Sequence, residues 1–143
     1  MASNRDELTV RGYFKNLAKI ADFIARAALA AGLDERAAYA VQMAVDEACT
    51  NIIEHSYGGE GRGRIRLCCQ VQATGLEITI YDQGRPFEPD QIPQPDTAAS
   101  LAERPLGGLG LFLMRKLVDT VDFEFNTPHG NRLILFKRRG ADL

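Results

Sequence analysis

The chain has 143 residues, a formal net charge of -2 and a charged fraction of 25%. That length suits one domain spanning residues 1–143 with a real core, and the mild acidity removes the electrostatic case for direct nucleic-acid binding. No apolar run approaches the roughly 20 residues that span a bilayer, so no membrane role is expected, and an N-terminus without an apolar signal core predicts a cytoplasmic protein.

In chain order, Glu7 to Arg11 alternates polar and apolar residues, as a short strand does. Leu17, Ile20, Ile24, Ala27, Ala28 and Ala31 then follow helical spacing, and Gly32 is a stop just past the end. Asp34 is placed to cap a second helix, from Glu35 to about Tyr57, ended by Gly58 and Gly59. Next the period changes to two. Ile65, Leu67, Cys69 and Val71 form one alternating run, and Leu76, Ile78 and Ile80 another, joined around Ala73–Gly75 as a hairpin. Five of the six prolines follow between Asp82 and Gly107. They exclude a continuous helix or inner strand there, and a loop this long in a small domain is usually functional or mobile. A helical pattern resumes at Gly108. Val121, Phe123 and Phe125 alternate as a strand, and a turn through Pro128 leads to a last strand from Arg132 to Arg139. The order is β-α-α-β-β-loop-α-β-β. It predicts a two-layer α/β sandwich, with a mixed, mostly antiparallel sheet covered on one face by helices. A parallel, doubly wound fold would need more strand-helix-strand crossovers. Cys49, Cys68 and Cys69 are odd in number and lack C-x-x-C spacing, so they read as reduced, small core residues.

The second helix carries polar residues at a regular interval. At about 100° per residue, Val41, Val45, Ala48 and Ile52 form a buried stripe. Glu47, Asn51 and His55 step along its shoulder, each about 40° from the last. A partly solvated shoulder accounts for this pattern. So does a cleft: Asn51 offers a neutral oxygen to a hard cation such as Mg2+, and Glu47 can take a proton from a hydroxyl or water. His55 reads either as a phosphate contact or as a satisfied, half-buried histidine.

Two glycine motifs follow. Asp82 leaves a strand two residues before Gly84. The carboxylate can accept from an exocyclic amine such as that of adenine, and the glycine lets a flat base approach. An ordinary Asp-x-Gly turn has the same residues. Gly107, Gly108 and Gly110 open the third helix, where free N–H groups and the helix dipole favour anions. Close packing at a helix start explains them equally.

Together, in this order, "EACTN", "DQGRPF" and "GGLGLFLM" resemble the N box and the two glycine boxes of the GHKL ATP-binding superfamily, in its anti-sigma factor serine/threonine kinase branch. The resemblance runs from about Leu8 to Arg138. It implies ATP and Mg2+ as cofactors, Glu47 as general base and Asn51 as the Mg2+ ligand. It further implies Asp82 with Gly84 at adenine, and Gly107, Gly108 and Gly110 at the phosphates. The segment of about 85–107 then corresponds to the ATP lid, with Arg104 the best match to a γ-phosphate clamp. The implied function is a protein kinase that phosphorylates an anti-sigma factor antagonist, sequesters a sigma factor by partner switching, and works as a homodimer. The alternative is a nucleotide-gated binding module without phosphotransfer. The ATP-binding domain of a histidine kinase is a further reading, but it usually follows a helical segment with a phosphoacceptor histidine. The only histidines are His55 and His129, the latter in a turn. An ATPase coupled to a large conformational machine would bring further domains.

Overall fold

A computed structural model describes residues 4–86 and 108–140. Five strands, β1 (Arg5–Arg11), β2 (Arg64–Gln72), β3 (Gly75–Asp82), β4 (Thr120–Thr127) and β5 (Gly130–Arg138), form one sheet in the order β1-β2-β3-β5-β4. Every pairing is antiparallel, so the sheet is not mixed. Three helices, α1 (Leu17–Ala30), α2 (Glu35–Asn51) and α3 (Gly108–Leu117), complete the described fold, the α/β sandwich expected.

Local chemistry sets the helix limits. A single 3-10 turn, Phe14–Asn16, leads into α1. Gly32 takes a φ of +76°, which lets the Leu33 N–H return to the Ala28 carbonyl at 3.0 Å and satisfy the helix end. The Asp34 carboxylate accepts from the Ala37 N–H at 2.7 Å, an N-cap worth about 1 kcal/mol. α2 differs from the single helix expected to reach Tyr57. Its α-helical part stops at Asn51, and Ile52–Ser56 is a π-helical turn in which the Tyr57 N–H reaches the Ile52 carbonyl. Gly58 and Gly59, at φ +74° and +145°, then turn the chain away.

The sheet's register divides its side chains. Leu67, Ile80 and Leu133 form one row, and Cys69, Ile78 and Leu135 the next. These rows are buried with Ile24 of α1, Val41, Val45 and Cys49 of α2, and Met114 of α3. Each fully buried aliphatic side chain contributes about 1.5–3 kcal/mol. Two basic residues of the last strand region fasten the layers. The Arg139 guanidinium donates to the carbonyls of Ala31, Gln72 and Ala73, and Lys137 Nζ to that of Leu117 at the end of α3. All three cysteines are free and buried. Cys49 and Cys69 lie in the main core, and Cys68 on the sheet's other face. Among the described residues no helix is long and apolar enough to cross a membrane.

Candidate nucleotide site

The site forms where the end of α2 meets the exit of β3 and the start of β5. Register pairs Asp82 with Asn131 on the helix-covered face. Both are buried, Asp82 at 6% and Asn131 at 5% exposure. Asp82 Oδ1 accepts from the Gly84 N–H at 2.8 Å and from Asn131 Nδ2 at 3.0 Å. Asn131 Nδ2 also donates to the Gly84 carbonyl at 2.9 Å. Nothing among the described residues donates to Asp82 Oδ2. Burial raises the Asp82 pKa, and the bonds from Asn131 and Gly84 oppose the shift. A buried acceptor with an open lone-pair side costs free energy until a donor meets it.

Asn51 and Asp82 line one cavity, together with Ser56, Asn131, Met114 and Phe123. Its volume is about 20 Å3, room for about one water. A purine needs more room than this. Glu47 and His55 are not among the lining residues. Glu47 is half-buried one turn before Asn51, and its pKa is raised by burial and then by the Asp46 and Glu54 carboxylates. That brings it nearer to the range useful for a general base. His55 lies in the π-turn, half-buried, with Nε2 3.7 Å from a Glu54 carboxylate oxygen. The α-helical spacing that aligned it with Asn51 ends at Asn51. His129 is exposed in the β4–β5 turn.

The π-turn has a structural task that spacing did not reveal. Its Ser56 carbonyl accepts from the Arg85 N–H at 2.7 Å. A Cβ on Gly84 would lie 2.5 Å from that same oxygen, so only glycine fits there. The Tyr57 hydroxyl accepts from the Gln83 N–H at 2.8 Å and donates to the Arg64 carbonyl at 2.6 Å. Tyr57 and Ser56 therefore tie the helix that carries Asn51 to the turn that carries Asp82. Sequence reasoning missed both Tyr57 and Asn131. Asn131 stands outside any motif, and only cross-strand register puts it opposite Asp82.

Gly108 and Gly110 open α3. Gly107, Arg104 and nearly all of the segment expected to be a lid lie outside the described residues. The side chains present fit an adenine nucleotide at one point, the open buried oxygen of Asp82. For Mg2+ they offer Asn51 as a single oxygen ligand. Among the described residues no three His, Cys, Asp or Glu side chains are grouped to hold a metal. The buried thiols are poor ligands, because burial pushes Cys69 up to about 12 and Cys49 further.

The histidine kinase-like ATPase domain family matches residues 14–137. A protein of Bacillus velezensis called serine-protein kinase RsbW is 37% identical over 94 residues, which is 61% of this chain and 57% of that protein. One of the same name from Oceanobacillus iheyensis is 32% identical over 102 residues, 68% of this chain and 63% of the relative. The chain thus spans about three-fifths of the length of these relatives. The crystal structure of the RsbU and RsbW domains of a Mycobacterium tuberculosis protein superposes with a TM-score of 0.63 at 15% identity, over 94% of this chain and 32% of that one. This likeness concerns the fold alone.

Proposed function

The chain belongs to the histidine kinase-like ATPase domain family, and from that premise we propose that it is an anti-sigma factor serine/threonine protein kinase. It binds Mg-ATP, phosphorylates a protein antagonist, and holds or releases a sigma factor accordingly. The observation that carries the nucleotide reading is Asp82, a buried carboxylate with Oδ1 held by Gly84 and Asn131 and Oδ2 open beside the cavity. The names of the relatives support the kinase reading.

Bound Mg-ATP supplies the phosphoryl group and the charge that offsets the developing negative oxygens. The residues of the chain bind and orient. Asp82 accepts from the adenine amine and disfavours guanine, which presents an oxygen at that position. Gly84 keeps the turn close to the π-turn. Asn51 gives one oxygen to the metal. Gly107, Gly108 and Gly110 bring backbone N–H groups to the phosphates at the start of α3. Glu47 takes the proton of the acceptor serine or threonine hydroxyl. Arg104 is assigned to the γ-phosphate, and the segment of about 85–107 to a lid within a single domain. The protein works in the cytoplasm as a homodimer, the outer edge of β1 offering a second copy a place to pair.

Calorimetry with ATP and GTP tests the nucleotide site, and equal affinities would overturn the role of Asp82. Incubation with labelled ATP and candidate antagonists from the same genome tests phosphotransfer. If ATP alters partner affinity while no partner is labelled, the protein is a nucleotide-gated binding module instead. Hydrogen exchange in residues 87–106, unchanged by saturating Mg-ATP, would remove the lid. Sedimentation showing only monomer at micromolar concentration would remove the dimer.

A further inference from the structure

The sheet face turned away from the helices has its own chemistry. In register, Thr9, Arg66, Tyr81, Arg132 and Glu124 form one row across all five strands, and Arg11 faces Arg64 in the row beyond. Arg66 is already engaged. Its guanidinium lies 3.9 Å over the Tyr81 ring and donates to Glu7 Oε1 at 2.8 Å. Arg132 is paired with Glu124. Arg11 and Arg64 are different: both are exposed, and neither guanidinium has an acidic partner among the described residues. Like charges directly opposite on neighbouring strands are destabilising. Arg64, Arg66 and Tyr81 also line an open recess of about 370 Å3.

We propose that this face is a docking surface for a protein partner that presents two or more carboxylate side chains, received by Arg11 and Arg64. A carboxylate between the two guanidiniums replaces a repulsion with paired, charge-assisted hydrogen bonds, which the arginine fork favours. Single-stranded nucleic acid fits less well. It binds by stacking bases on aromatic rings, and here the Tyr81 ring is covered by Arg66.

The position adds a consequence. Tyr81 and Arg132 are the immediate chain neighbours of Asp82 and Asn131, on the opposite side of the same two strands. Arg64 on β2 and Tyr81 on β3 line the same recess, so a partner received by Arg11 and Arg64 reaches the back of the strand that carries Asp82, and any difference that partner or nucleotide makes to that strand is felt by the other reciprocally. The docking stands independently of the phosphotransfer reading, whereas this coupling rests on nucleotide binding.

The test uses the full chain and a short polyglutamate peptide as probe at low salt. Arg11→Glu/Arg64→Glu should weaken binding at least about 10-fold, as reversal of a recognition charge pair does. The control Arg26→Glu/Arg36→Glu changes net charge equally on exposed helix positions, and should stay within about twofold of wild type. Arg11→Gln/Arg64→Gln should also weaken binding while keeping or raising the melting temperature, which a structural role for the pair would lower. Equal losses in both charge reversals would overturn the proposal, as would binding of oligothymidylate tighter than polyglutamate. So would a wild-type dimer that the Arg11→Glu/Arg64→Glu variant turns into monomer, since a second copy would then own the face. Mg-ATP should shift polyglutamate affinity in the wild type. If ATP itself fails to bind, the nucleotide reading falls while the comparison of the variants still decides the docking surface.

Discussion

The two faces of the sheet use polar residues in opposite ways. On the covered face, Asp82 and Asn131 are buried among aliphatic rows, and their side-chain polar atoms are spent on one another and on the backbone of Gly84 and Asn126, except for one carboxylate oxygen. On the open face, Arg11 and Arg64 are exposed and without an acidic partner among the described residues, while Arg66 and Arg132 have acidic partners. Polar atoms left open in a dry place are costly and point to a small ligand that fits them. Charges left open in water cost little and stay available to an oppositely charged surface. One sheet thus carries a buried polar pair on the helix-covered side of β3 and β5 and an exposed arginine pair on the open side of β1 and β2.

The largest effect expected on the covered side is at Glu47. Glu47→Ala should cut phosphotransfer about 100-fold or more, the scale of a positioned base, while ATP affinity stays within a few-fold. Transfer of label to the antagonist at the wild-type rate would separate Glu47 from the chemistry. Asn51→Ala should instead reduce Mg2+-dependent nucleotide binding and transfer together.

Asp82→Asn comes next. Its carbonyl can keep both bonds on the Oδ1 side, while its amide turns a donor toward a donor. Adenine nucleotide affinity should fall about 10- to 100-fold, the loss of a charged hydrogen bond, with no loss of melting temperature. The sign of its pH dependence follows from the raised pKa of Asp82. Between the ordinary aspartate value of 3.8 and the raised folded value, the folded chain binds more protons than the unfolded one. Stability contributed by this group is therefore present below 3.8 and lost as pH rises through the folded value. Glu47 acts in the same direction. Denaturation followed against pH should show a shallower decline for Asp82→Asn than for wild type over that window.

Tyr57→Phe is subtler. It removes the bridge between the Gln83 N–H and the Arg64 carbonyl and keeps the ring that fills the space beside Gly63. A cost of about 1–2 kcal/mol in unfolding free energy is expected. Discrimination between ATP and GTP should also shrink, because the Asp82 turn loses a tether. Unchanged discrimination, with stability alone affected, would limit Tyr57 to a structural role. The smallest effect belongs to the open face: Arg64→Gln should move stability by less than about 0.5 kcal/mol. A larger destabilisation would erase the contrast between the faces.

Much of this was legible in one dimension, for local reasons. Period-two and helical spacings reflect how a strand or helix presents successive side chains, and the Asp34 cap and the Gly32 stop act within a few residues of themselves. They sufficed for the order of elements, the hairpin around Ala73 and Thr74, and helices on one face. The candidate site was legible as far as residues announce themselves in motifs: Asn51, Asp82 and Gly84. The rest depended on contacts between segments far apart in the chain. Asn131 meets Asp82 only because β5 inserts between β3 and β4. The turn at Ile52–Ser56 is π-helical where the spacing read as an ordinary α-helix, and the bond from Arg85 to the Ser56 carbonyl joins residues 29 apart in the chain. Gly84 looked like a place for a base, and its lack of a side chain is demanded by the Ser56 backbone. Arg11 and Arg64 are unremarkable in sequence until antiparallel register sets them face to face. Propensity and periodicity act over a few residues and fix what each segment is. Register and layer packing depend on the whole core, and they alone decide which segments' polar atoms meet.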